Sequence, residues 1–477
     1  MIPVSVLSVT SEIYPLIKTG GLADVAGALP IALRAQGCQV ITLVPGYPAV
    51  LAAVGKTEVV LEGQIFGVKV RVLRASHGSL DLFVLDAPDF FGRPGNPYLT
   101  AEGMDWPDNG LRFAALSRAA AIIGSGAISS FSPDIVHLHD WQSALTAAYM
   151  HYSGRPRPKT VLTIHNLAYQ GRFSRQILEE IGLPEESFNI HGVEYYGDIS
   201  FLKAGLQFAD RLTTVSPTYA GEIQDDEQGM GLGGLLRERS RDLSGILNGI
   251  DVDVWNPASD RAIARCFASS DLHQRTANKI ALQTRFGLEQ KSDAFLLGVI
   301  SRLSWQKGLD LLIECIPTIV DLGAQLVVLG TGEADLENRF REIAEQHPNQ
   351  ISVLIGYDEN LAHLVQAGSD ALVVPSRFEP CGLTQLCALR YGAVPIVSRV
   401  GGLEDTIVDI DERPDAATGI KFGPVDVEQL NAALVRARDC FFNKPVWRQM
   451  QLRGMATDVS WTSRASQYAR LYREITS

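Results

Sequence analysis

The sequence predicts an α/β fold made of two doubly wound, Rossmann-like units, and three observations carry that prediction. Short apolar runs alternate with amphipathic helical stretches from end to end. The alternation runs once up to about Asn248 and then restarts. Polar and glycine-bearing segments stand just after the apolar runs, where open parallel sheets bind ligands.

Residues 4–9 read as the first strand, followed by a glycine-rich turn and a helix over 23–35. A strand over 40–44 comes next, and 59–85 holds two or three strands with little helix between them, a local meander. Strands over 135–139, 160–164 and 211–215 alternate with helices around 111–123, 143–152 and 201–208. The second unit repeats the pattern with strands over 294–300, 325–329, 352–355, 371–374 and 394–397. Its helices are expected over 309–322, 334–345, 361–366 and 384–391. Strand–helix alternation implies crossover connections, hence parallel sheets covered on both faces. Asn-Gly and Asn-Pro turn signals within 248–257 mark a hinge. Residues 460–474 read as one amphipathic helix. The expected domains are therefore 1–248, 249–457 and a terminal helix within 458–477 that packs back on the first domain.

The 477 residues, 46% hydrophobic and 20% charged, suit a globular protein of two or three cores. The formal charge of −12 disfavours nucleic acid or an anionic membrane as the main partner. An anionic small substrate would need a local cluster of Lys and Arg. The six cysteines are scattered with no C-x-x-C pair, which argues against zinc and disulfides and fits a reducing cytoplasm. The first residues lack a signal-peptide pattern, and no apolar run is long enough to span a bilayer. Gly330-Thr331-Gly332 begins like a dinucleotide fingerprint, but Asp335 stands where its third glycine belongs. The phosphate-loop and nucleophile-elbow motifs are missing from the sequence.

Several segments after the predicted strands carry candidate chemistry. Lys18-Thr19-Gly20-Gly21 precedes a helix, so its backbone N–H groups and the Lys18 cation suit a phosphate; the same residues also read as a surface turn. Arg302 and Lys307 flank a strand-to-helix connection and suit a diphosphate leaving group, or are surface cations. Glu379-Pro380-Cys381-Gly382-Leu383-Thr384 leads into a helix whose N-terminus suits phosphate, with Glu379 placed for hydroxyls or for capping. Cys381 and Cys387 read as small buried hydrophobes. His137, His139 and Asp140 form a conceivable metal set, but alternation along a strand reads more simply as one packed face and a polar end. His165 is a core histidine or, from its place at a strand end before Asn166, a binding residue.

Lys18-Thr19-Gly20-Gly21-Leu22-Ala23-Asp24-Val25 resembles the N-terminal signature of bacterial glycogen synthases and plant starch synthases. So do His139-Asp140-Trp141, Thr163-Ile164-His165-Asn166, Asn248-Gly249-Ile250-Asp251, Ser301-Arg302-Leu303 with Gln306-Lys307-Gly308, the run from Pro375 to Gln385, and Gly401-Gly402-Leu403 with Asp405-Thr406. The resemblance covers essentially the whole chain. It implies the GT-B architecture, two Rossmann-like domains facing across a deep cleft. It also implies transfer of glucose from ADP-glucose to an α-1,4-glucan with retention of configuration, without a cofactor or an obligatory metal. By resemblance the catalytic residues are Lys18, His165, Arg302, Lys307 and Glu379. Donor contacts fall to Lys18, Gly20, Gly21, Arg302, Lys307, Tyr357 beside the adenine, Glu379, Cys381, Gly382, Leu383 and Thr384. Sugar and acceptor contacts fall to Asp24, Asp140, Trp141, His165 and Asn248. The rival readings are a transferase using UDP-glucose, a pyridoxal-dependent phosphorylase and an inactive glucan-binding scaffold.

Overall fold

A computed structural model describes residues 3–477. The chain divides into two compact units, Met1–Asn248 with Trp461–Ser477, and Gly249–Ser460. The backbone thus passes from one to the other twice.

The strands of unit 1 are β1 (Val4–Val9), β2 (Cys38–Pro45), β3 (Glu58–Ile65), β4 (Val68–His77), β5 (Leu80–Asp86), β6 (Ile135–His139), β7 (Lys159–Ile164), β8 (Arg172–Phe173), β9 (Glu194–Tyr195), β10 (Asp198–Ser200), β11 (Arg211–Thr214) and β12 (Leu243–Gly245). Nine of them form one sheet in the order β12-β11-β7-β6-β1-β2-β5-β4-β3. Every pairing from β12 to β5 is parallel. The β3-β4-β5 meander closes the edge in antiparallel register. The period-2 alternation of β1 shows why this sheet is covered twice. Leu7 and Val9 enter a core with Leu43, Phe83, Phe113 and Leu138. Val4 and Val6 face the other way, onto Val25, Leu29 and Leu33 of helix Gly21–Ala35 and onto Trp461, Tyr468 and Tyr472 of helix Trp461–Thr476.

Unit 2 has six strands, β13 (Leu296–Ile300), β14 (Gln325–Gly330), β15 (Ile351–Ile355), β16 (Ala371–Val374), β17 (Val394–Ser398) and β18 (Ile420–Phe422). They form an all-parallel sheet in the order β15-β14-β13-β16-β17-β18. Leu297, Val299, Leu326 and Val328 pack on one face, and Leu296, Val327 and Leu329 on the other.

Both sheets share one topological device. From β13 the chain steps outward to β14 and β15, then returns to the far side of β13 as β16. From β1 it steps to β2 and onward, then returns to the far side of β1 as β6. At such a reversal the loops diverge and leave a crevice at the carboxyl ends of the strands.

The structure departs from the sequence expectation in a few places. The helix expected over 309–322 is two, Leu309–Glu314 and Ile316–Asp321, with Cys315 at the break and Pro317 removing a backbone donor in the second. The short strands β8, β9, β10, β12 and β18 and helices Val427–Phe442 and Lys444–Ala456 were not anticipated. The first of these helices carries a start signal that was legible: Asp426 caps it by accepting from the Gln429 N–H at 2.8 Å. Among the described residues no helix is long and apolar enough to cross a membrane.

Candidate active site

At the reversal point of unit 1, the connection leaving β1 is organised by one buried carboxylate. Glu12 accepts from the backbone N–H groups of Thr19 (2.5 Å) and Gly20 (3.3 Å), from the Thr19 hydroxyl (2.8 Å) and from the Tyr98 hydroxyl (2.8 Å). These bonds hold the Lys18-Thr19-Gly20-Gly21 turn in one conformation. Lys18 Nζ lies 2.9 Å from Asp24 Oδ1 and 5.3 Å from the Tyr14 ring centroid. Gly20 precedes helix Gly21–Ala35 with an extended φ of −157°, and a Cβ there would meet nothing within 4 Å. Neither strain nor packing requires glycine at this position, and the space before the helix N-terminus is open.

The facing connection leaves β6. Asp140 has φ +58° and ψ −172°, a backbone region nearly reserved for glycine. Its N–H donates to the Thr163 carbonyl at 3.0 Å. Its Oδ1 accepts from the backbone N–H groups of His165 (2.7 Å) and Asn166 (3.4 Å). Burial pushes the Asp140 carboxyl up to about 7; the two N–H groups oppose the shift and the Glu12 charge adds to it. His139 Nδ1 lies 3.0 Å from His165 Nε2, and His139 Nε2 lies 3.2 Å from Ser8 Oγ. Burial drives His139 down to about 3 and holds His137 and His165 well below the ordinary histidine range. These imidazoles are therefore neutral at pH 7. The nitrogens of His137 and His139 are engaged by Tyr472, Thr163, Ser8 and His165.

Trp141 is half-buried, edge-on to Phe113 at 5.0 Å, and a Cβ on Gly171 would meet its ring at 2.3 Å. Asn248, the last residue of this unit before the chain leaves it, is buried with its side-chain oxygen lacking a hydrogen-bond partner.

In unit 2 the reversal point holds an ion pair. Lys307 Nζ, from the loop after β13, lies 2.5 Å from Glu379 Oε2, from the loop after β16. The Ser376 hydroxyl donates to the same oxygen at 2.9 Å. Gly308 makes the close approach possible: its φ is +65°, and a Cβ there would lie 2.0 Å from the Pro375 carbonyl oxygen. Arg302 is exposed, with Nη2 3.4 Å from Gln306 Oε1, and Gln306 donates to the Phe378 carbonyl at 3.2 Å. Arg377 makes a two-pronged contact with Asp310, both prongs 2.7 Å, and covers the Trp305 ring at 4.6 Å. Cys381, Gly382 and Leu383 lead into helix Thr384–Tyr391, whose first turn has no side-chain cap. Thr384 Oγ1 lies 3.5 Å from the Ile300 carbonyl, which ties that helix start to the end of β13. Tyr357 stands farther along the same edge, beyond β15, 70% exposed with its hydroxyl 2.6 Å from Glu359.

Within unit 1 the structure thus gathers Lys18, Gly20, Gly21 and Asp24 in one turn and joins Asp140 to His165. Within unit 2 it gathers Lys307 and Glu379, with Arg302 and the Cys381-to-Thr384 turn along the same edge. Sequence reasoning missed the Glu12 clamp with Tyr98, the Ser376 hydroxyl, the Arg377–Asp310 contact and the histidine chain. Gly330 and Gly332 have a packing reason. A Cβ on either would lie about 2 Å from the carbonyl of Ser301 (1.9 Å) or Leu303 (2.1 Å).

Comparison with known proteins places these features in context. The starch synthase catalytic domain family matches residues 5–238, and the glycosyl transferases group 1 family matches residues 282–439. The chain is 63% identical over 476 residues to glycogen synthase 2 of Bradyrhizobium diazoefficiens, covering 100% of this chain and 99% of that one. It is 58% identical over 479 residues to a glycogen synthase of Rhodopseudomonas palustris, covering 100% and 98%. The catalytic domain of starch synthase IV from Arabidopsis thaliana, solved bound to ADP and acarbose, superposes with a TM-score of 0.91 at 34% identity over 99% of both chains. A sucrose-phosphate synthase from Thermosynechococcus elongatus shares the fold at 16% identity, with a TM-score of 0.62 over 99% of both chains.

Proposed function

We propose, because this chain belongs to the glycogen synthase family of glucan glycosyltransferases, that it lengthens an α-1,4-glucan with glucose from ADP-glucose, retaining the anomeric configuration and releasing ADP. Its fold is GT-B, with two Rossmann-like domains. The observation that carries the reading is the Lys307–Glu379 pair at the strand reversal of unit 2. It offers a cation for a diphosphate and, beside it, a carboxylate for sugar hydroxyls. The ADP held by the Arabidopsis starch synthase supports adenine over uracil as the base.

In the reaction the bond between glucose C1 and the diphosphate oxygen breaks, and a bond from C1 to the acceptor 4-oxygen forms. The acceptor hydroxyl proton passes to the departing phosphate oxygen. Negative charge grows on that phosphate, so permanent cations placed beforehand lower the barrier. Arg302 and Lys307 take this role in unit 2, and Lys18 offers a further cation for phosphate in unit 1. The N–H groups of Gly382, Leu383 and Thr384 add donors for a phosphate oxygen. Glu379 orients the glucose, and Lys307 together with Ser376 keeps its carboxylate in place. Tyr357 covers the adenine. On the acceptor side, His165 and Asp140 border the anomeric carbon, Trp141 offers a fixed apolar edge, and Asp24 and Asn248 receive hydroxyls. The buried Asn248 oxygen without a donor is the kind of group a hydroxyl satisfies.

The test is incorporation of labelled glucose into glycogen from ADP-glucose and from UDP-glucose, with and without EDTA. The expected outcome is EDTA-insensitive elongation with ADP-glucose preferred, giving linkages that α-amylase cleaves. Turnover confined to UDP-glucose without glucan extension would sink the substrate assignment.

A further inference from the structure

The C-terminal helix Trp461–Thr476 returns to unit 1 and brings a polar contact to the deepest part of its sheet. Tyr472 is fully buried, and its hydroxyl lies 2.8 Å from His137 Nδ1, 335 residues away in sequence. His137 Nε2 lies 2.6 Å from the Thr163 hydroxyl. The His137 ring stands 4.2 Å from the His139 ring, and His139 is held at both nitrogens, by Ser8 and by His165. Thr163 also receives the Asp140 N–H through its carbonyl, and the Asp140 carboxylate in turn accepts the His165 N–H. The contacts that begin at Tyr472 therefore converge on Asp140 and His165 by two routes, one through Thr163 and one through His139.

We infer that Tyr472 is a positioning residue for the sugar side of the site, orienting the His137 ring and, through Thr163 and His139, the Asp140 turn and the His165 imidazole. This rests on the reading of His165 and Asp140 as residues bordering the reacting carbon. The physical reason is that buried polar groups have no water to turn to. A ring engaged at both nitrogens inside a close-packed sheet has one orientation, and its neighbours inherit it. Without the Tyr472 hydroxyl, His137 Nδ1 loses its partner, and the ring must turn or the strand must shift. A displacement of about 1 Å at a reacting centre is enough to cost about 10²-fold in rate.

Steady-state kinetics of the full-length enzyme with ADP-glucose and glycogen test this. Tyr472→Phe is expected to lower kcat about tenfold while the nucleotide-sugar KM stays within about twofold, because the unit 2 contacts are untouched. His139→Asn places an amide where Nδ1 stood and keeps the contact with His165. His139→Gln reaches toward Ser8 instead. The Asn variant is therefore expected to keep more of kcat than the Gln variant. Arg473→Gln loosens the same helix at its bond to the Gln36 carbonyl without touching an imidazole. It is expected to lower Tm and leave kcat unchanged.

Wild-type kcat in Tyr472→Phe, or kcat losses in Tyr472→Phe and Arg473→Gln that simply track lost Tm, would overturn the inference. His165→Ala separates the two levels. If it retains the wild-type rate, the reading of His165 falls, and the inference with it. If it is inactive while Tyr472→Phe is unaffected, only the inference falls.

Discussion

The candidate residues of the two units solve opposite electrostatic problems. In unit 2 basic side chains are paired with acidic ones: Lys307 with Glu379, and Arg377 with Asp310. In unit 1 the groups around β6 and β7 are buried and lean toward neutrality. Three imidazoles are pushed down, and the Asp140 carboxyl is pushed up to about 7. Burying an ion is costly unless a counter-ion comes with it, so an interior without counter-ions neutralises its titratable groups. The difference matches the chemistry proposed for each. A leaving diphosphate needs fixed positive charge, whereas a glucose ring needs hydrogen-bonding groups held in place.

The largest expected effect breaks the charged half. Lys307→Ala and Glu379→Ala should each lower kcat by about 10²-fold or more while far-ultraviolet circular dichroism stays unchanged. Near-wild-type rates in both would remove the pair from the mechanism. Next comes the strained turn of the neutral half. Asp140→Ala and Asp140→Gly both delete the carboxylate and should both lose activity. Their stabilities should order opposite to the usual one, with Gly more stable than Ala by about 1 kcal/mol, because φ is +58°. Denaturant midpoints decide this, and an alanine variant that is the more stable would show the turn to be unstrained.

A separate, pH-dependent effect follows from protonation. The unfolded chain takes up protons on its histidines near the ordinary value of 6.5, whereas folded His139 resists until about 3. Between those values the unfolded state binds more protons, so stability falls as pH falls. Asp140 works in the other direction. Its folded carboxyl keeps the proton up to about 7, so its contribution is lost as pH rises from 3.8 toward that value. The three imidazoles outweigh the one carboxyl, and the urea midpoint should be lower at pH 5 than at pH 7.5. A flat or reversed profile would contradict neutral histidines. The smallest effect sharpens the charged half. Arg377→Lys keeps the cation but loses the two-pronged contact with Asp310, and should cost about 1 kcal/mol or less with activity within a few-fold.

Much of the fold was legible because each long strand announces itself locally. The expected 135–139 and 371–374 match β6 and β16, and helix Phe201–Phe208 was expected over the same residues. The three-residue β18 and two-residue β8 are too short for alternation to register. At the site, the Lys18, Arg302, Lys307 and Glu379 segments stood out as charged, glycine-bearing stretches after strands. Glu12 is one of three polar residues, Thr10-Ser11-Glu12, that follow β1, and nothing in that run singles it out. Its role depends on the connection folding back so that Thr19 and Gly20 present their N–H groups to it.

By itself the sequence determined the alternation of strand and helix, the restart after Asn248 and the chemistry waiting at the strand ends. These follow from burial periodicity and turn chemistry, which are properties of neighbouring residues. Only the tertiary structure decided which side chains meet: Lys307 with Glu379 72 positions later, Asp140 with the His165 N–H, and Tyr472 with His137 335 positions away. Such pairings are set by strand order and by packing many elements at once, and a local pattern holds no record of which distant partner the crossovers will bring alongside.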